Sequence, residues 1–230
     1  MKVQRFDDGV LAIGWLALMA PVLLTPSRAA LDALVVSSLA GDVLLLWLAM
    51  RLRLPARWPM HRALSIFTLL RLGVLMAVSK AILISADGGQ VVDAFGAFAT
   101  HHGVLAGWLK LTAIGAIQLT IIAAALRRVN DLAVRLPPAL AAKYLDVLKL
   151  IRSEAIAATV IVLVNLAAGM VIGVDQYNLP ATQALHMISA LAFGMAIASQ
   201  LPSILCTMAA GLIVTRLADG GSPPGSAASA

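Results

Sequence analysis

Long apolar runs constrain this chain more than any other feature. The stretches 10–25, 29–50, 64–84, 104–126, 155–174 and 182–215 are almost free of charge. A run of about 18 or more such residues can cross ~30 Å of hydrocarbon as a helix. Inside lipid each backbone polar group must find its partner within the structure, which leaves helices and closed barrels. The runs are continuous, whereas barrel strands alternate. The expected fold is therefore all-α, a multi-pass transmembrane bundle of about six spans. Composition agrees: 61% of residues are hydrophobic and 12% charged, about half the charged share of a soluble domain. A soluble globule is excluded.

The first run has a second reading. Lys2 and Arg5, the apolar stretch from Val10 to Leu24, and the small residues Ser27, Ala29 and Ala30 have the order of a cleavable signal peptide. Against it, Pro21 and Pro26 interrupt the stretch, Asp7 and Asp8 dilute the basic start, and Arg28 sits among the small residues. The run is kept as a span. Residues 1–219 then form one transmembrane domain. Residues 220–230, all Gly, Ser, Pro and Ala, form a tail with no apolar face, expected to be disordered.

Orientation follows from the basic residues, which are retained in cytoplasmic loops. Arg51, Arg53, Arg57 and Arg62 follow the second run, and Arg127, Arg128, Arg135, Lys143, Lys149 and Arg152 follow the fourth. The opposite loops hold Arg28 against Asp87, Asp93 and Asp175. Both termini are thus expected in the cytoplasm, with the chain in a membrane of the inner-membrane type. The net charge of +6 is read as a topology signal, and no nucleic-acid partner is expected, because the bases lie in two short loops.

Soluble chemistry has no visible carrier. Cys206 is the single cysteine, and His61, His101, His102 and His186 show no zinc-type spacing. The chain has no phosphate-binding glycine loop and no nucleophile elbow. The expectation is a protein that is not an enzyme and carries no cofactor or metal. Its informative residues are those at membrane depth, where ionisable groups are costly and face a bundle interior or a water-filled path. Asp42, Arg71, Lys80, Lys110 and Glu154 lie in or near the runs. Lys110 and Glu154 stand near run ends and can also be read as reaching the interface. Arg71 and Lys80 are nine positions apart, about half a turn beyond whole turns, so they point to roughly opposite faces. Their helix must be tilted, broken or surrounded by protein.

Packing has its own markers. Gly169 and Gly173 have GxxxG spacing, which lets a neighbouring backbone approach, and Asn165 falls on nearly the same face. Pro202 lacks a backbone donor, so the last helix is expected to break or kink there, with Gln200 and Ser203 partnering the freed carbonyls.

Four stretches carry a resemblance: FTLLRLGVLMAVSKAILI from Phe67 to Ile84, VDAFGAF from Val92 to Phe98, EAIAATVIVLVNLAAGMVIGV from Glu154 to Val174, and QLPSILCTMAAGLIVTR from Gln200 to Arg216. In this order they resemble the FHIPEP family, the large export-gate subunits of flagellar and injectisome type III secretion. The resemblance implies that Arg71 is the family's arginine of the third span and that Lys80 takes the place of a second basic residue. Glu154 stands where the family has an Asp, and Asp32 matches an acidic residue opening the second span. It implies that such charges serve proton-driven export, and that the partners are membrane lipid, further copies in a ring, and other membrane subunits of the apparatus. Gly173 and Gly169 then offer a face for self-association.

Three departures stand beside it. Counted back from Gln200, the family's GDG falls on Gly194, Met195 and Ala196, so Met195 replaces a carboxylate. The loop between Arg127 and Arg152 is shorter than the family's, and two further spans and a large cytoplasmic domain do not appear in the sequence. The expected function is a truncated or divergent export-gate component with proton-coupled protein export. The alternative is a small multi-pass scaffold or minor transporter with no secretion role.

Overall fold

The computed structural model describes Leu23, residues 27–51 and residues 60–220, with backbone alone at 219 and 220. The expected first span and the tail beyond Gly220 lie outside the described residues. Six helices follow in order: α1 Arg28–Arg51, α2 Met60–Ser85, α3 Gln90–Thr100, α4 Val104–Leu132, α5 Pro138–Asp175 and α6 Ala181–Gly220. A 3-10 turn at Ala133–Arg135 joins α4 to α5, and no strand occurs among the described residues. All but α3 are long and apolar enough to cross a membrane. They correspond to the second through sixth apolar runs.

Helix α5 begins well before the run that announced it. Residues 138–154, read as cytoplasmic loop, are helical. Pro138 fits the first turn, where no N–H is needed. Ala141, Tyr144, Val147, Leu148 and Ile151 are buried, while Lys143, Asp146, Lys149 and Arg152 face out. That spacing is an amphipathic helix, and its charges masked it as a loop. At about 57 Å for 38 residues, α5 outreaches the hydrocarbon, so its basic first turns project beyond the membrane.

The expected break at Pro202 does not occur: α6 is helical from Ala181 to Gly220 with Pro202 inside it. One missing donor removes one ladder bond, and α6 packs against each of the other five helices, which holds it helical. Of the two expected partners Ser203 does not act, since its Oγ is buried without a hydrogen bond.

The GxxxG face is likewise used inside the chain. A Cβ on Gly169 would fall 2.7 Å from Ile188 Cγ2, and one on Gly173 would fall 3.0 Å from Ala184 Cβ. Both neighbours are on α6, so these glycines close the α5–α6 hairpin, and the face is not open to a second copy. Asn165 lies beside them, fully buried. It accepts from Ser79 Oγ at 2.8 Å and donates to Met195 Sδ at 3.4 Å.

The core falls into two main apolar clusters. One gathers Leu45, Leu64, Ile122, Tyr144, Leu148 and Ile213. The other gathers Leu31, Val35, Val78, Val162, Leu191 and Met195. Along α1 and α2 the change from one cluster to the other falls at Asp42 and Arg71, and along α5 it falls just beyond Glu154, between Ala155 and Ala158. This seam holds two buried ion pairs, Arg71–Asp42 and Arg71–Glu154.

Candidate functional site: a buried charge cluster

Asp42, Arg71 and Glu154 are brought together from three helices and are 0%, 3% and 4% exposed. Arg71 stands 11 residues from Met60 and 14 from Ser85 in α2, roughly 16 and 21 Å from the two ends. The cluster is therefore near mid-depth. Nε and Nη2 of Arg71 donate to Oε1 and Oε2 of Glu154 at 2.8 and 2.5 Å. Nη1 reaches both Asp42 oxygens at 2.9 Å, and Nη2 also reaches Thr68 Oγ1 at 3.4 Å. The planar guanidinium suits this, since its fork of donors matches carboxylates in pairs. Thr68 Oγ1 itself donates to the Leu64 carbonyl at 2.8 Å, and Cys206 Sγ lies 4.0 Å from it.

The two carboxylates are not equivalent. Each Glu154 oxygen has its own N–H, whereas both Asp42 oxygens depend on the one nitrogen Nη1. Glu154 is thus the better satisfied counter-ion. Reaching the interface, as its place near a run end allowed, is not what it does.

Asp32 and Lys80 do not join the cluster. Lys80 is half-buried nine positions further along α2, about 13 Å away along the axis. Of the three settings considered for α2, a break is not observed, and the helix packs on α1, α5 and α6. Asp32 Oδ1 accepts the Val91 N–H at 2.9 Å, so it caps the N-terminus of α3 from a different helix. At the other end Lys110 Nζ donates to the carbonyls of Phe98 and Ala99 at 2.6 and 3.2 Å and lies 4.7 Å from the Phe98 ring centre. An acid at the first turn and a base at the last both oppose the helix dipole. Arg28 adds ion pairs to Asp87 at 3.3 Å and to Asp93 of α3.

Sequence reasoning missed α3, because eleven residues are too few for a span. Its signal was the pair of flanking glycines, Gly89 and Gly103, with φ of 91° and 96°, which only glycine adopts readily. Removing either cap should loosen α3 alone. Asp32→Ala and Lys110→Met are each expected to cost about 1 kcal/mol and to speed amide exchange in residues 90–100 while the remaining bundle keeps its protection. Unchanged exchange of α3 in both variants would show that the caps do not hold it.

Comparison with known proteins gives this arrangement its context. Hypersensitivity response secretion protein HrcV of Ralstonia nicotianae is 28% identical, over 94% of this chain and 37% of its own length. Secretion system apparatus protein SsaV of Salmonella typhimurium is 27% identical, over 92% and 36%. Low calcium response locus protein D of Yersinia pestis is 28% identical, over 94% and 36%. The chain spans little more than a third of the length of these relatives. No solved structure matches significantly. The model of the FHIPEP family matches residues 18–137 and 147–226, and with nearly the whole chain inside that match, the chain belongs to the FHIPEP family.

Proposed function

We propose that this chain is a membrane-embedded component of a type III protein export gate in a bacterial inner membrane. Asp42 in its buried cluster takes up and releases a proton during export. Family membership and the names of the relatives support the first part, and the charge count supports the second. One guanidinium faces two carboxylates, leaving one negative charge in a site removed from water. An unbalanced charge there is costly, and a single proton neutralises it. Asp42, with the poorer set of donors, is the carboxylate that receives it.

Both termini face the cytoplasm in this reading, with the basic start of α5 on that side and the Arg28, Asp87 and Asp93 group on the other. Ile156, Val160, Leu163, Val164 and Val171 are exposed on α5 and face lipid, while further copies and other apparatus subunits complete the gate. Met195, buried where the resemblance leads one to expect a carboxylate, favours the second reading of a scaffold without proton flow.

Proton flux in proteoliposomes separates the two. Asp42→Asn and Glu154→Gln each leave a neutral pair that needs no proton. Either should lower the flux on the order of ten-fold or more, and block export when the variant replaces the parent protein in its own apparatus, with insertion intact. No flux in the parent protein, or unchanged flux in both variants, favours the scaffold.

A further inference from the structure

Next to the charge cluster lies a cavity of about 20 Å³, walled mainly by apolar side chains of α1, α2 and α3, with Ser38 of α1, Arg71 of α2 and the Ala198–Ser199 and Pro202 stretch of α6 as its polar part. Its size fits one solvent molecule, since about 10–15 Å³ on this measure holds a water. Its chemistry fits as well. In an α-helix the carbonyl of residue 198 accepts from the N–H of residue 202, but Pro202 has none to give. Ser199 Oγ donates to the Ala196 carbonyl at 2.8 Å, which leaves its lone pairs available as acceptors. Ser38, 3% exposed, supplies a hydroxyl from the opposite wall. The nearby Ser203 hydroxyl does not fill the gap left by the proline, because its Oγ is itself without a partner.

We propose that this cavity binds a single water molecule, which donates to the Ala198 carbonyl and to Ser199 and accepts from the Ser38 hydroxyl. Pro202 then has a purpose that neither a kink nor a break explains: it exposes one carbonyl at mid-membrane as a ligand for water. The site places a protonic solvent molecule beside Arg71, where apolar clusters otherwise seal the seam from both sides. Its part in moving protons rests on the proposed function, whereas its occupancy does not.

The chain itself supplies the label. Carbonyl-13C alanine combined with 15N serine marks only two Ala–Ser steps, Ala198–Ser199 and Ala228–Ser229. In the full chain in lipid bilayers, magnetisation transferred from water in solid-state NMR should reach the Ala198 carbonyl rapidly despite its depth. Ser38→Val fills the cavity, and Pro202→Ala returns a backbone donor to Ala198. Each should slow the transfer several-fold. The second variant keeps the test alive if the first does not fold. An Ala198 carbonyl that stays dry in the parent, or transfer unchanged in both variants, overturns the site. A dry carbonyl in a protein that carries protons would overturn the water alone. A hydrated carbonyl in a protein with no flux would uphold the water and leave the relay reading to fall by itself.

Discussion

Arg71→Met is expected to leave little folded protein, with a loss of about 3–5 kcal/mol, the range seen when one partner of a buried ion pair is removed. The cause is what remains. Asp42 and Glu154 would keep their burial and lose every charge-assisted bond they make with Arg71. Removing all the charges at once should therefore restore stability. Arg71→Met combined with Asp42→Leu and Glu154→Met leaves no buried charge and no unpartnered amide, and apolar replacements of similar volume are often close to neutral. Unfolding in mixed micelles checks both. A single variant as stable as the parent, or a triple variant as weak as the single one, would show that the cluster does not hold these helices as described.

Gly194→Ala is expected to lift α3 from α6. A Cβ at Gly194 would run into the Val92 carbonyl and come within 2.7 Å of the Gly96 nitrogen, while one on Gly96 would meet the Ala190 carbonyl. These are backbone atoms, which cannot rotate away as a side chain can. Overpacking of this kind costs about 1–3 kcal/mol or more, and it acts on a helix of only eleven residues whose face against α6 it would push away. Gly211→Ala is the contrast on the same helix. Nothing lies within 4 Å of its Cβ position, so the gain in helix propensity should stabilise by about 0.5–1 kcal/mol. Thermal unfolding and α3 amide exchange should separate the two glycines by sign. Equal effects would mean that α3 does not approach α6 so closely.

The membrane-spanning helices were legible because hydrocarbon imposes one demand on every residue in a span, and a run such as 64–84 records it directly. Residues 138–154 were not, since an amphipathic helix outside the bilayer carries the same bases as a loop. For the site, Asp42, Arg71 and Glu154 could be named from their depth, but their grouping could not. Pairing depends on the rotation of α1, α2 and α5 about their axes, and an all-apolar surface gives no phase for it. Asp32 and Lys110 show the same limit from the other side. Each is an acid or base near a span, and only the position of α3 reveals them as caps. The spacing of Gly169 and Gly173 marks a face for close approach, but spacing alone does not say whether the neighbour is α6 or another copy.

The central claim is that Asp42 holds a proton in the buried cluster, and infrared spectroscopy of the protein in bilayers tests it most directly. The account predicts a protonated carboxyl stretch that shifts with 13C-labelled aspartate and is absent from Asp42→Asn. A spectrum with no buried protonated carboxyl, or a band that follows labelled glutamate and survives Asp42→Asn, would contradict it.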